Sequence, residues 1–459
     1  MVKRAAEAAG PDHEAIVQGE KLQDNQYNDA ISGPKQNKYK FLYEIRTSCV
    51  VSMVASKSIG LIIGIIIVVL VIAVAISSLS KPSTAPSTSI AQSQNATTTT
   101  SAPLAPSQLY VSAAGSDSAN GTLSAPFKTI NRAIALARPG QIIIVEPGTY
   151  NEQINITSRV IIEGEDANAT IINASGQMNG INIIGPGANG TVVSNLTVEN
   201  ADNHGIYAQD VSNVMITHNI VEHNGANATV CPTPPAKPAG PCIIEDKPIE
   251  LVGTSNVTVE KNVVVNNLAD GGIGVSDLGP INPGSLTQTH IFASSMGNKI
   301  IGNKVAYNKG GCGIVISSYN KDGIINNLVE NNTVSFGVAG IVIGDGAPNA
   351  TAMNNVVVNN TAFDNFLPGI IVHATTPGDV LSNTTVEFNR VSGNGADAEV
   401  GDMNKTGIVV SGDVMPVLNT TIQNNNVGNE YYGIWLRNAP GAAIQNNTFA
   451  NVTAENYTK

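Results

Sequence analysis

The sequence predicts an all-β chain: a right-handed parallel β-helix with a short N-terminal capping helix, preceded by one transmembrane α-helix. Two recurring phrases and one apolar run predict it. The first phrase reads apolar, two polar residues, Asn, any residue, apolar, and returns along Val193 to Asn451 with its Asn at Asn219, Asn262, Asn303, Asn332, Asn360, Asn389, Asn425 and Asn447. A second Asn often follows five residues on, as at Asn224, Asn267, Asn308, Asn365 and Asn394. The other phrase is Gly-Ile-any-apolar, at Gly205, Gly272, Gly313, Gly340, Gly369, Gly407 and Gly433. Where no extra loop intrudes, the period is roughly 22 to 29 residues, as in a solenoid.

The local pattern decides between helical and β repeats. Alternation over four or five residues rich in Val, Ile and Thr reads as short strands. So many Gly and Asn would destabilise helices, whereas Asn tolerates the left-handed backbone that a tight corner needs. Strands this short gain stability by stacking into parallel sheets, each coil covering the apolar edge of the next. Stacked Asn side chains then pair buried polar atoms along the axis, and strand-to-parallel-strand crossovers favour the right hand.

In chain order, residues 1–57 form a polar cytoplasmic tail, largely disordered, with Lys35, Lys38, Lys40, Arg46 and Lys57 near its end. Ile59 to Ile76 is unbroken apolar sequence, and the span 58–79 of about 20 residues is long enough to cross a hydrocarbon core. A cleaved signal peptide fits less well, because a long segment precedes the run. The basic residues lie mainly before it, which keeps the N-terminus inside and the C-terminal bulk outside a cell membrane, as a single-pass protein. Gly60 and Gly64 have a spacing that lets two such helices approach, although small residues are common there anyway; the oligomeric state stays open. Residues 80–107 are a Ser/Thr/Pro-rich stalk with no apolar face to bury. Residues 108–459 make up the extracytoplasmic β-helix domain.

Composition narrows the partners. Charged residues are 13% and aromatic residues 4%, which suits a stacked aliphatic core, and a net charge of -11 without a long basic run in the repeats argues against nucleic acid. Sequons crowd the ectodomain, among them Asn95, Asn155, Asn195, Asn256, Asn331, Asn383, Asn419 and Asn446. An Asn- and Thr-rich repeat generates them by composition, and export would expose them to glycosylation.

At the entry to the helix, Thr129 is placed to cap a short amphipathic helix carrying Ile130, Ala133, Ile134 and Ala137; Pro139-Gly140 stops it, and Ile142 to Val145 is the first strand. This stretch, with Gly115-Ser116-Asp117, Asn120-Gly121-Thr122, Pro126-Phe127-Lys128-Thr129-Ile130 and Pro147-Gly148-Thr149-Tyr150, resembles the N-terminal capping segment of right-handed β-helix proteins of the pectate-lyase-like superfamily. The later repeats are similar to those of carbohydrate-binding and sugar-hydrolase β-helices and of periplasmic copper-maturation β-helix proteins. The resemblance covers about residues 109–451 and implies the fold. For function it implies binding, or binding and processing, of an extracellular polysaccharide or cell-surface glycan. It carries over no catalytic set: the Asn-Thr-Asp, Asp-Asp and Gly-His-Gly motifs of the polygalacturonate hydrolases and the Asp-Pro-His motif of the alginate epimerases are missing here. If the protein is an enzyme, a polysaccharide lyase or glycoside hydrolase is expected; the alternative is a non-catalytic structural or adhesive cell-envelope protein, with copper handling a third reading.

Candidate site residues cluster around two insertions, Gly225 to Lys247 and Asp277 to Gly297, because solenoid insertions collect on one face, often the binding face. Glu250, Lys247 and His290 are the catalytic candidates. Glu245, Asp246, Asp270, Asp277, Tyr207 and Trp435 are ligand-binding candidates. Asp270 and Asp277 are candidates for Ca²⁺, a hard cation that takes oxygen ligands. Glu250 is expected on the outward position that neighbouring coils give to Tyr207 and Gly274, with Trp435 outward near the C-terminal end. An Asp file (Asp210, Asp277, Asp345) reads first as turn capping. His204, His218 and His223 are the copper or zinc candidates. Cys231 and Cys242 are expected to close a Pro-rich loop as a disulfide, and Cys312 to be a buried thiol.

Overall fold

The computed structural model describes residues 108–226, 247–268, 270–277, 294–396 and 404–458. They form a parallel β-helix. Three long sheets of twelve, eleven and eleven strands run the length of the stack, and a fourth of five strands lies along part of it. We call them sheets I, II, III and IV. A typical coil takes Val356–Val358 in sheet I, Thr361–Phe363 in sheet II and Ile370–Ala374 in sheet III, with Val380–Ser382 in sheet IV before the next rung. Each strand pairs in parallel with its equivalents one coil before and after. Among the described residues no helix is long and apolar enough to cross a membrane. The apolar run Ile59 to Ile76, the tail and the stalk lie outside the described residues.

Register explains the core. In sheet III the inward file is Ile181, Ile206, Ile249, Ile273, Ile314, Ile341, Ile370, Ile408 and Ile434, all fully buried and stacked residue on residue. Each such side chain stabilises the fold by roughly 1.5–3 kcal/mol. Sheet II turns in Val198, Val221, Val264, Val305 and Val334, smaller residues for its short strands.

The corners carry the Asn columns. From Asn219 to Asn447 each amide Nδ2 donates to the Oδ1 of the next, at 3.0 Å for Asn303 to Asn332, Asn332 to Asn360 and Asn360 to Asn389, and each also donates to a carbonyl one coil back along the chain's path, as Asn332 does to Ile300. The preceding residue takes a left-handed conformation, as in Asn331 (φ 57°), Asn359 (φ 57°) and Asn424 (φ 57°), which Asn adopts more readily than most side chains. A second column joins Asn224, Asn267 and Asn308, lapses at Gly337, and resumes from Asn365 through Asn394 to Glu430. Glu430 accepts from the Asn394 N–H at 2.8 Å and from its side chain at 3.1 Å. Burial pushes its carboxyl up to about 7 against these hydrogen bonds. At the N-terminal end the helix Ile130–Leu136 has Thr129 at its N-cap, accepting from Arg132 N, and buries Ile130, Ala133 and Ile134 against the first coil.

Candidate functional site

The predicted cluster converges on the outward face of sheet III. The strand Ile249–Val252 lies between Ile206–Gln209 and Ile273–Ser276, so Glu250 stands between Tyr207 and Gly274, as its sequence position predicts. Gly274 has no side chain, and the Glu250 carboxylate and the Lys247 stem lean over it; any Cβ there would collide with both. Lys247 enters just before the strand, and its Nζ meets Asp270 Oδ2 at 2.6 Å. Ser276 Oγ donates to Glu250 Oε1 at 3.0 Å. One rung back, Tyr207 donates to Gln209 Oε1 at 2.9 Å, and its ring stacks on His204 at 4.9 Å between centroids. His204 Nδ1 donates to the Lys247 carbonyl at 2.7 Å, which fixes the tautomer of that ring.

Glu250 (1% exposed), Lys247 (2%) and Tyr207 (7%) are all buried. A buried ion pair needs close geometry to offset its desolvation, and the 2.6 Å contact supplies it. Burial, then the neighbouring Glu250 carboxylate, raises the Tyr207 phenol well above its ordinary value, so it stays protonated. The rungs thus present an ammonium, two carboxylates and a phenol in one short file.

The other predicted residues fall elsewhere. Glu245, Asp246 and His290 lie outside the described residues, as do Cys231, Cys242 and Asn95. Asp277 is buried and accepts from Ser318 Oγ at 2.8 Å and Tyr319 N at 2.6 Å; burial pushes it up to about 6. Asp270 and Asp277 stand at opposite ends of the strand Ile273–Ser276, too far apart to share one ion. Trp435 faces outward as expected, but it is 1% exposed and packs in a second apolar cluster with Val342, Ile371, Val409 and Tyr432; it offers no open platform. His218 contacts Thr217 Oγ1 at 2.7 Å, apart from His204, so the three histidines do not gather. His223 instead joins Glu199 and Glu222 on sheet II, with one ligand atom of each within 4.8 Å of the others. Cys312 corrects an expectation. It is disulfide-bonded rather than a thiol. It is also the sole cysteine among the described residues, so its partner lies outside them. Of the described sequon residues, Asn195, Asn256, Asn331, Asn383, Asn419 and Asn446 occupy left-handed corners, and Asn155 lies on a strand.

Sequence reading missed a carboxyl pair behind sheet III. Thr376 Oγ1 lies 2.9 Å from Asp345 Oδ2 and 2.7 Å from Asp379 Oδ2. The Thr376 hydroxyl thus stands between two carboxyl groups. Burial, then the adjacent Asp345, pushes Asp379 up to about 7. Asp345 belonged to the corner file; Asp379 sits in a turn with no period to flag it.

The family model described as "Protein of unknown function (DUF1565)" matches residues 113–376. No curated protein matches the chain. Among solved structures, it is similar to the A-module of mannuronan C-5 epimerase AlgE4 from Azotobacter vinelandii at 15% identity and TM-score 0.42, over 70% of this chain and 89% of that one. It is similar to PfbA, a surface adhesin of Streptococcus pneumoniae, at 12% identity and TM-score 0.44, over 71% and 87%. The GH136 lacto-N-biosidase from Eubacterium ramulus aligns at 12% identity and TM-score 0.41, over 76% and 68%. The family match runs from the capping segment through both insertions and takes in more than half of the 459 residues, so the chain belongs to the DUF1565 family.

Proposed function

We propose that this chain is a surface protein, tethered by the apolar run Ile59 to Ile76, that binds an extracellular polysaccharide or glycan on the outward face of sheet III and processes it there. One observation carries the reading: Tyr207, Glu250 and the Lys247–Asp270 pair meet on consecutive rungs of one sheet face. The ion pair with Asp270 holds the Lys247 stem over Gly274, beside Glu250. Glu250 is then the base and Tyr207 the proton donor of an elimination or hydrolysis. Asp270 orients Lys247.

The test is a glycan array with the full chain, with and without calcium, followed by ultraviolet detection of unsaturated product and reducing ends. Binding with product that Glu250→Gln abolishes supports the reading. Binding without product leaves the adhesive alternative; processing requires that Glu250 and Lys247, 1% and 2% exposed, become accessible when the glycan binds. Neither binding nor product sinks both. Copper handling rests on repeat similarity, and the candidate ligands His204, His218 and His223 do not converge.

A further inference from the structure

A second outward surface, on sheet II, carries a pocket that this reading does not use. It has a volume of about 450 Å³ and is lined by Thr361, Phe363, Asp364, Arg390, Ser392 and Asn429. Register builds it: Arg390 lies beside Thr361, Ser392 lies beside Phe363, and Gly428 on the following rung adds no side chain. Arg390 is exposed and, among the described residues, has no carboxylate partner, although Asp364 lines the same pocket. Asn429 donates to Ser392 Oγ at 2.9 Å, so the Ser392 hydroxyl keeps its own proton to donate to a ligand.

Beside it runs an aromatic row. Phe336 stacks on Tyr307 at 4.5 Å and 6° and meets Phe363 edge-on at 5.9 Å. Tyr307 (φ 56°) and Phe336 (φ 53°) occupy the left-handed corner that other rungs give to Asn200, Asn266 and Asn451. Bulky side chains there are strained outliers, and such strain points to a role other than stability.

We infer that this pocket binds an acidic sugar unit, a uronate or similarly charged residue of a glycan. The Arg390 guanidinium takes the carboxylate in a two-pronged hydrogen bond. Phe363 supplies an apolar face for the sugar ring, and Ser392, Asn429 and Asp364 bind its hydroxyls. The site is separate from the sheet III cluster and stands or falls without it.

Calorimetric titration of the full chain with trigalacturonate, against neutral maltotriose, tests the inference. Trigalacturonate should bind and maltotriose should bind more weakly. Arg390→Gln should lower the affinity about 10- to 100-fold, as expected for losing a charge-assisted bond, and Arg390→Lys should recover part of it. Because Arg390 is exposed, the denaturation midpoint of the Gln variant should match the wild type. No binding of trigalacturonate, equal binding of maltotriose, or an affinity indifferent to Arg390→Gln would overturn the proposal. Binding that survives Arg390→Gln and disappears in Glu250→Gln would do the same while leaving the sheet III reading in place.

Discussion

Sheets II and III are built on one scaffold and face the outside differently. Their inward files are alike, aliphatic and fully buried, Val334 and Val391 in one and Ile341 and Ile408 in the other. Outward, sheet II shows Thr333, Thr361, Arg390 and Asn426, all exposed or half-buried. At the same heights sheet III turns out Val342, Ile371, Val409 and Trp435, none more than 3% exposed. The difference teaches that the inner half of each strand sets the fold while the outer half is free to specialise. Sheet III shows two apolar faces over its C-terminal rungs and a buried polar cluster over its earlier ones; sheet II stays open to solvent.

The sharpest way to break this comparison is to place a charge on each face. Val409→Asp should destabilise the protein by at least ~3 kcal/mol, since a buried carboxylate would have no partner, while Thr361→Asp on sheet II should cost less than ~0.5 kcal/mol. Equal denaturation midpoints would show that the sheet III face is not buried in solution. Lys247→Met removes one half of a buried ion pair and should cost about 3–5 kcal/mol, because Asp270 is left behind; Lys247→Met together with Asp270→Leu should recover much of the loss.

Next comes the corner shared by all coils. Asn332→Ala strips partners from the Asn303 N–H, the Asn303 amide, the Ile300 carbonyl and the Asn360 Oδ1. A loss of ~2–4 kcal/mol in chemical denaturation is expected, from about 1–3 kcal/mol for each polar group left buried and unpaired, less what water recovers.

pH should then act on the sheet III side. Asp277, Asp379 and Glu430 flank that sheet with carboxyls raised to about 6, 7 and 7. Each binds its proton more tightly folded than unfolded, where its value is about 4. Their contribution is therefore complete below about pH 4 and is lost as pH climbs through 6 to 7. The melting temperature should fall across that window, with hydrogen exchange speeding up in sheet III before sheet II. A melting temperature that rises instead would contradict the assignment.

The smallest effect is at the aromatic corner. Phe336→Asn relieves a left-handed Phe and should change stability by less than ~1 kcal/mol in either direction, while weakening trigalacturonate binding. A clear loss of stability would make the aromatic row structural.

The coil, its Asn columns and the placement of Glu250 between Tyr207 and Gly274 were legible in the sequence, because a strict period turns spacing into neighbourhood. The Lys247–Asp270 contact was legible only as proximity to the insertions. What period could not reveal lay where side chains meet across a turn or depart from the repeat: the carboxyl pair around Thr376, Glu430 standing in for an Asn, and Trp435 facing outward yet buried. The Phe363–Arg390 pocket was overlooked for a different reason. Its residues occupy ordinary repeat positions, and only the side chains on them are unusual.

The Asn columns also make the rod's length a matter of whole steps. Asn332 and Asn360 occupy equivalent points 28 residues apart, with a complete circuit of backbone between them. Excising that circuit would let Asn303 donate directly to Asn360 and shorten the rod by one strand spacing, about 4.8 Å. Residues gained or lost between the columns alter the turns and leave the ladder intact, as spacings of 43, 29 and 22 residues between successive column members show, so over evolution the stack itself lengthens or shortens by entire turns.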